Sequence, residues 1–504
     1  MKTVKSLILG SAAALVAMGG AQAADLPIKA KAVEYVKVCS LYGAGFYYIP
    51  GTDTCIKLGG YLRVETAIAS NSVYNNAVNG AAGAQNRLSN YYTARSREDL
   101  NIDTRTATEY GVVRTFFDAT FSWTTGTYSS TGTGATAYPA AGTPNNDGVA
   151  GGTLGVYYAF IQFAGFTMGK AVSQFDAPWT NYPGNNFDGL TGGGGTVTGI
   201  NQFSYTADFG QGITASFSAQ DSTAYQTTNV WNTAVPFTAA NVMSGVYGGS
   251  AIGGTRSPDL VAALRVDQAW GLFQASFAAH DNHAAYYGAT EPTGHPSDKW
   301  GWAASLALSI KNIPTGPGDT INLQATYTDA ATRYNFQSLV PTAFAMFGGT
   351  NLAGAYQSIG FASVADTVYG PGTSQQSVTT WGFRGGYTHN WNAYWNTAIY
   401  GSYAQLRYGG TGVDLVCAGI RPFLTAGSTC NPNFNLGTVG LITRWTPVKN
   451  LTFSADLAAT FLDQKYSGAI VNAAGVAAVA KPGATYELKD QSSVSLLLRA
   501  QRNW

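Results

Sequence analysis

The sequence predicts an all-β protein: a sixteen-stranded antiparallel transmembrane β-barrel with short turns at one rim and long loops at the other. Three observations carry this. Apolar and polar residues alternate at period two through segment after segment, as in strands with two unlike faces. The connections between those segments alternate strictly between long and short, the mark of an up-and-down meander. Charged residues make up 11% of the chain, under half of the roughly 25% usual for soluble domains, while Tyr (30), Phe (24) and Gly (61) are abundant. Mean hydropathy is close to zero because apolar and polar residues are finely mixed. After the first residues no apolar run reaches the roughly 18 residues of a membrane helix.

In chain order, "MKTVKSLILGSAAALVAMGGAQA" sets Lys2 and Lys5 before an apolar run that ends on Ala21-Gln22-Ala23. This predicts a cleaved export signal over 1–23, not a membrane anchor, because Gly10, Gly19 and Gly20 interrupt the run. Residues 24–54 read as an N-terminal segment and 55–504 as the barrel. Removing Lys2 and Lys5 takes the net charge from +1 to −1, so bulk electrostatics suggests no nucleic-acid partner. Proximity pairs Cys39 with Cys55 and Cys417 with Cys430, one of the three connectivities open to four cysteines. Free or metal-bound thiols are the alternative, although no CxxC and no neighbouring histidine favours zinc.

The first strand, "CIKLGGYLRVETAI", puts Ile56, Leu58, Leu62, Val64 and Ile68 on one face and Lys57, Tyr61, Arg63 and Glu65 on the other. "EDLNIDTRTAT" (98–108) and "VVRTFFDATFSW" (112–123) repeat the pattern around the turn Glu109-Tyr110-Gly111 and form a hairpin. Further strands are predicted at 154–163, 166–172, 200–208, 212–220, 258–267, 272–280, 299–311, 319–329, 379–388, 394–404, 435–445, 450–461 and 491–504. Short turns such as "AG", "FGQG", "QAWG", "HNWNA" and "TPVK" alternate with long connections at 69–97, 124–153, 173–199, 221–257, 281–298, 330–378, 405–434 and 462–490.

A secreted β-sandwich would share the alternation but not this regular order of connections. Nor would it predict aromatic residues near strand ends, where Trp123, Phe163, Phe166, Phe209, Trp270, Tyr394, Trp395, Trp445 and Trp504 read as interfacial girdles. The closing stretch "SSVSLLLRAQRNW" still alternates up to Trp504. The last strand must pair with the first, since an open edge in hydrocarbon leaves backbone groups without partners.

At "YVKVCSLYGAGFYYIPGTDTCIKLGGYLRVET", "NIDTRTATEYGVVRTFF" and "AFIQFAGFTMGKA" the chain resembles the alphaproteobacterial general porins, outer-membrane barrels of the rhizobial and brucella type. The resemblance implies a trimer embedded in outer-membrane lipid and lipopolysaccharide, with periplasmic short turns, external long loops and passive diffusion of small hydrophilic solutes. It also implies that Trp504, where phenylalanine is commoner, is read by the barrel-assembly machinery, and that the third long loop folds inward to face a basic wall.

Sixteen strands leave a water-filled lumen. The lumen-facing candidates on its wall are Arg63, Arg105 and Arg114, interleaved with Glu65, Asp103 and Asp118; the third loop contributes Asp176 and Asp188. Opposed charges of this kind would set up a transverse field that orients dipolar solutes and disfavours apolar ones. A channel selective for sugars or anions is the alternative, and an enzyme or adhesin on a barrel scaffold, resting on the length of 221–257 and 330–378, is a more distant one. The Gly192–Gly195 run lacks the Gly-Lys-Ser/Thr of a phosphate loop and reads as a flexible loop hairpin. "HDNH" (280–283) reads as a solvated polar cluster, not a metal site. No nucleophile–base spacing, metal set or cofactor motif appears, so no catalytic residue and no cofactor is assigned.

Overall fold

The computed structural model describes residues 37–69, 86–87, 92–124, 152–177, 190–194, 199–337 and 342–504. Sixteen strands form the wall: β1 Cys55–Ala69, β2 Tyr92–Thr108, β3 Gly111–Thr124, β4 Thr153–Phe163, β5 Phe166–Ala171, β6 Ile200–Asp208, β7 Ile213–Gln220 and β8 Asp259–Gln268. The second half comprises β9 Gly271–Asn282, β10 Lys299–Lys311, β11 Thr320–Asp329, β12 Gln376–Asn390, β13 Trp395–Tyr408, β14 Phe434–Val448, β15 Leu451–Gln464 and β16 Gln491–Asn503. Each strand pairs antiparallel with its sequence neighbours. β16 returns to β1, Asn503 opposite Tyr61 and Ser495 opposite Ala69, and closes the cylinder without a free edge.

The wall inverts the polarity of a soluble protein. Leu62, Val64, Phe121, Leu441, Leu457 and Phe461 are exposed on the outside, while Glu65, Asp118, Thr438 and Asp456 of the same strands are buried inside. Among the described residues no helix is long and apolar enough to cross a membrane. At the short-turn rim Trp395, Trp445 and Phe453 stack in a row, with centroids 5.8 and 5.5 Å apart. The two-residue hairpin β4–β5 turns on Ala164 and Gly165, both at positive φ (48° and 85°), whose twist matches the flanking strands.

Strand ends differ from the sequence reading by a few residues in several places, as where β12 begins at Gln376 instead of 379 and β13 runs to Tyr408 instead of 404; two differences have a clear cause. β2 begins at Tyr92 and not at Glu98, because Ala94 and Ser96 put small side chains outward where a strong alternation needs large apolar ones. "TPVK" is mostly strand: β14 runs to Val448 through an irregular register after Trp445, and the chain turns at Lys449 and Asn450.

At the long-loop rim the loops build a roof. A four-stranded sheet of Ala343–Gly348, Gln357–Ser363, Ala484–Leu488 and Gly468–Asn472, together with helix α1 Gly410–Ile420, packs around Phe344, Met346, Phe361, Ile470 and Tyr486. The roof continues onto the barrel because the inward faces change character near that rim. Ser402, Thr438 and Thr460 give way to Leu406, Leu436 and Leu462, which join the same core. Trp231, Val242 and Met243 of loop 221–257 and Val364 and Val368 of loop 330–378 are buried there too, so much of these loops' length forms the roof.

Both disulfides pair neighbours in sequence. Cys417–Cys430 ties α1 to the segment that follows it. Cys39–Cys55 ties the chain before β1 to that strand at the opposite rim, where Tyr47 and Tyr48 pair with Ile56 and Cys55.

Candidate functional site

The third long loop leaves β5 and turns inward, and its described residues 173–177 and 190–194 lie inside the barrel. At its root Ser173 Oγ donates to Gln220 Oε1 (2.8 Å), and Phe175 packs edge-on against Tyr334, centroids 4.6 Å apart. Gln274 Nε2 of β9 donates to the Asp176 carbonyl at 2.8 Å. Residues 190–194 of the loop dock further round the wall: Arg384 of β12 donates through Nη1 to Leu190 O (3.2 Å) and through Nη2 to Gly194 O (2.6 Å). The amides of Gly192 and Gly193 donate to Asn335 O at 3.0 and 3.3 Å. Of the Gly192–Gly195 run, Gly192–Gly194 is therefore docked, contrary to the flexible hairpin read from sequence, and Gly195 lies outside the described residues. The glycines permit the approach, since a Cβ on Gly192 (φ 94°) would stand 2.4 Å from Phe383 O.

Further round the wall, strands β16, β1 and β2 carry a cluster of guanidinium groups around one carboxylate. Glu65 accepts from Arg95 Nε (2.6 Å) and Arg499 Nε (2.6 Å), and its oxygens form ion pairs with the Nη2 atoms of both (2.5 Å each) and with Arg63 Nε at 3.8 Å. Arg63 Nε donates to Gln501 Oε1 (2.8 Å), and Arg97 Nε donates to Ser122 Oγ (2.9 Å) while lying over Tyr157. Strand register forces this convergence, because Glu65 stands opposite Arg95 on one side and Arg499 on the other.

The other candidates fall elsewhere. Asp103 lies between Arg105 Nη2 and Arg114 Nη2, both at 3.0 Å, toward the short-turn rim. There the Arg105 guanidinium lies 4.9 Å from the centroid of Phe46, inside the loop closed by Cys39–Cys55. Asp118 neighbours Asp99 at mid-wall. Asp176 is buried beside Gln274 and Gly194, away from the three wall arginines named with it. Asp188 lies outside the described residues.

Sequence reasoning missed Arg95, Arg97 and Arg384 as site residues. The first two continue the odd-numbered series Asp99, Asn101, Asp103 and Arg105, so extending that alternation backward would have found them. The histidines of "HDNH" also part company. His280 keeps the inward parity of Gln274 and Ser276 and is buried, not solvated, with Nδ1 2.8 Å from Asp259 Oδ1 and Nε2 3.8 Å from Asp366 Oδ2. His283 Nδ1 meets Asp298 Oδ1 at 2.8 Å.

Comparison with known proteins fits this geometry. Porin Omp2b of Brucella suis is 36% identical over 215 residues, 42% of this chain and 50% of that protein. Porin Omp2b of Brucella abortus (strain 2308) is 35% identical over 223 residues, 42% of this chain and 52% of that protein. The chain thus spans about half the length of the curated relatives it matches. The outer membrane channel DcaP of Acinetobacter baumannii shares the fold, with a TM-score of 0.55 at 12% identity over 91% of this chain and 99% of that one. The family model described as "Porin subfamily" matches residues 25–497. With that match covering most of the chain and a closed barrel with an apolar belt, the protein belongs to the porin subfamily, whose barrels sit in the outer membrane of Gram-negative bacteria.

Proposed function

We propose that this protein forms a water-filled channel for the passive diffusion of small hydrophilic solutes and ions. The observation that carries the reading is a closed sixteen-stranded wall with a polar inner face and an inward-turned loop anchored to Arg384. A barrel of about eight strands fills with its own side chains, whereas one of about sixteen retains an aqueous passage. In this reading solutes pass between the third loop and the wall bearing Arg63, Glu65, Arg95 and Arg499, with Asp103, Arg105, Arg114 and Asp118 lining the route below. Asp188 supplies the loop's negative charge, Asp176 being buried at the loop's root, and the field across the gap orients dipolar solutes.

The same proposal takes residues 1–23 as an export signal and the assembly as a homotrimer in lipid and lipopolysaccharide, with Trp504 engaging the barrel-assembly machinery. It assigns no catalytic role and no cofactor. Purified, heat-modifiable protein added to planar bilayers should give stepwise conductance increments. Folded protein that inserts without such steps would overturn the channel reading.

A further inference from the structure

We propose that the lumen holds a binding recess for a small hydroxylated carboxylate, built on Arg265 beneath the root of the third loop. The inference rests on the channel reading and names one class of solute that would linger in the passage. The recess has a volume of about 330 Å³ and lies between Val172–Gln174 of the loop and the inward faces of β4 to β9.

Arg265, on β8, is held by one bond: its Nε donates to Gln274 Oε1 at 3.0 Å. Gln274 is itself fixed, because its Nε2 donates to Asp176 O (2.8 Å) and Ser276 Oγ (2.9 Å), so flipping the amide would set oxygen against oxygen. The two Nη groups of Arg265 have no hydrogen-bond partner among the described residues. Asp267, two positions along the same face, is engaged by Lys311 at 3.6 Å. A planar fork with two uncommitted donor nitrogens matches a carboxylate bidentately.

The rest of the lining selects what the carboxylate carries. Thr206, Thr214, Ser216 and Gln174 present hydroxyl and amide groups, Phe160 presents a ring that can cover a C–H face, and no carboxylate lines the recess. A simple anion would use the guanidinium alone and a neutral sugar the hydroxyls alone. A sugar acid uses both. The recess lies in the wall beside the passage, so its occupant narrows the channel without sealing it, and other solutes continue to diffuse.

The test is conductance of the full-length protein in planar bilayers with gluconate titrated into potassium chloride. Gluconate should lower the single-channel current at a half-blocking concentration about tenfold below that of glucose, the worth of one charged hydrogen-bonded pair, and about tenfold below that of acetate, the worth of the neutral hydroxyl contacts. Arg265→Gln, which keeps a polar group beside Gln274, should raise the gluconate value about tenfold. Thr214→Val with Ser216→Ala should raise it while leaving acetate unchanged, and serves if the arginine variant does not fold. Equal block by gluconate and acetate, or a conducting channel blind to all three, overturns the recess while leaving the channel reading intact. Folded protein without conductance overturns both.

Discussion

Arg384 and Gly194, 190 positions apart, are joined by a hydrogen bond of 2.6 Å from Nη2 to the carbonyl oxygen. The same guanidinium holds Leu190 O and Gln324 Oε1, and the arginine is 2% exposed. Leu190 O also accepts from Gln337 Nε2, so it is Gly194 O that loses its arginine donor, and a buried carbonyl left without a donor costs about 1–3 kcal/mol. Arg384→Ala should therefore loosen the loop from the wall, raising single-channel conductance and adding open-channel noise. Wild-type conductance and noise in a folded variant would show that the anchor does not set the passage.

Glu65 pairs with both Arg95 and Arg499, and its side chain is fully buried beneath them. Glu65→Gln removes the counter-charge that these two guanidinium groups share. The zero-current potential in a salt gradient should move toward anion preference. The melting temperature should fall as well, since removing one partner of a buried pair costs up to about 3–5 kcal/mol, less where lumen water reaches it. An unchanged reversal potential would place the ion-selective step elsewhere.

Barrel strands are legible in sequence because each faces two solvents, so a single residue's parity fixes its side: Leu62 and Val64 out, Arg63 and Glu65 in. The alternation fades where outward residues are small, as at Ala94 and Ser96, and there the inward Arg95 and Arg97 pass for loop. Arg384 is harder still. Its partners are backbone oxygens of a loop distant in sequence, and no local pattern encodes where that loop lands. The roof was hidden for a related reason: Leu406, Leu436 and Leu462 look like ordinary strand residues until their inward faces are seen to meet a second sheet.

The loop closed by Cys39–Cys55, with a sequence separation of 16, keeps Phe46 against Arg105. Opening a loop of this size removes about 3 kcal/mol of entropic stabilisation. Reduction, or Cys39→Ser with Cys55→Ser, should lower the temperature at which the folded band converts in heat-modifiability gels. It should also free the ring from Arg105 and alter conductance at the short-turn mouth. A double variant with wild-type melting would show that Phe46 and the strand pairing suffice.

Asp319, in the turn before β11, staples β11 to β12. Burial alone would raise its pKa, but donation from Asn390 N (2.8 Å), His389 Nδ1 (2.7 Å), Thr315 Oγ1 (2.7 Å) and Tyr387 OH (3.0 Å) outweighs burial and holds the carboxyl well below its ordinary value. A depressed carboxylate contributes stability that is complete above the unfolded pKa of about 3.9 and is lost as pH falls through the folded value. Thermal stability should thus decline below about pH 4. Asp319→Asn should be less stable at neutral pH and show a flatter acid limb; a parallel acid limb would assign the decline to other carboxylates.

Lys481 in the roof gives the opposite limb. Burial pushes its ammonium down to about 8, although Nζ donates to Gln357 Oε1 at 2.6 Å and lies 4.6 Å from the Phe347 ring centroid. Below that pH both folded and unfolded chains hold the proton, and the folded roof bears the cost of burying the charge. Between about 8 and the unfolded value of about 10.4 the folded chain has shed a proton that the unfolded chain retains, so stability rises with pH across that window. Hydrogen exchange of the Gln357–Ser363 and Ala484–Leu488 strands should slow relative to its intrinsic rate from pH 8 to 10. Lys481→Met should be protected already at pH 7 and lose the rise, because the apolar chain fills the same space without a charge to desolvate; a rise that persists in the variant would locate the titrating group elsewhere in the roof.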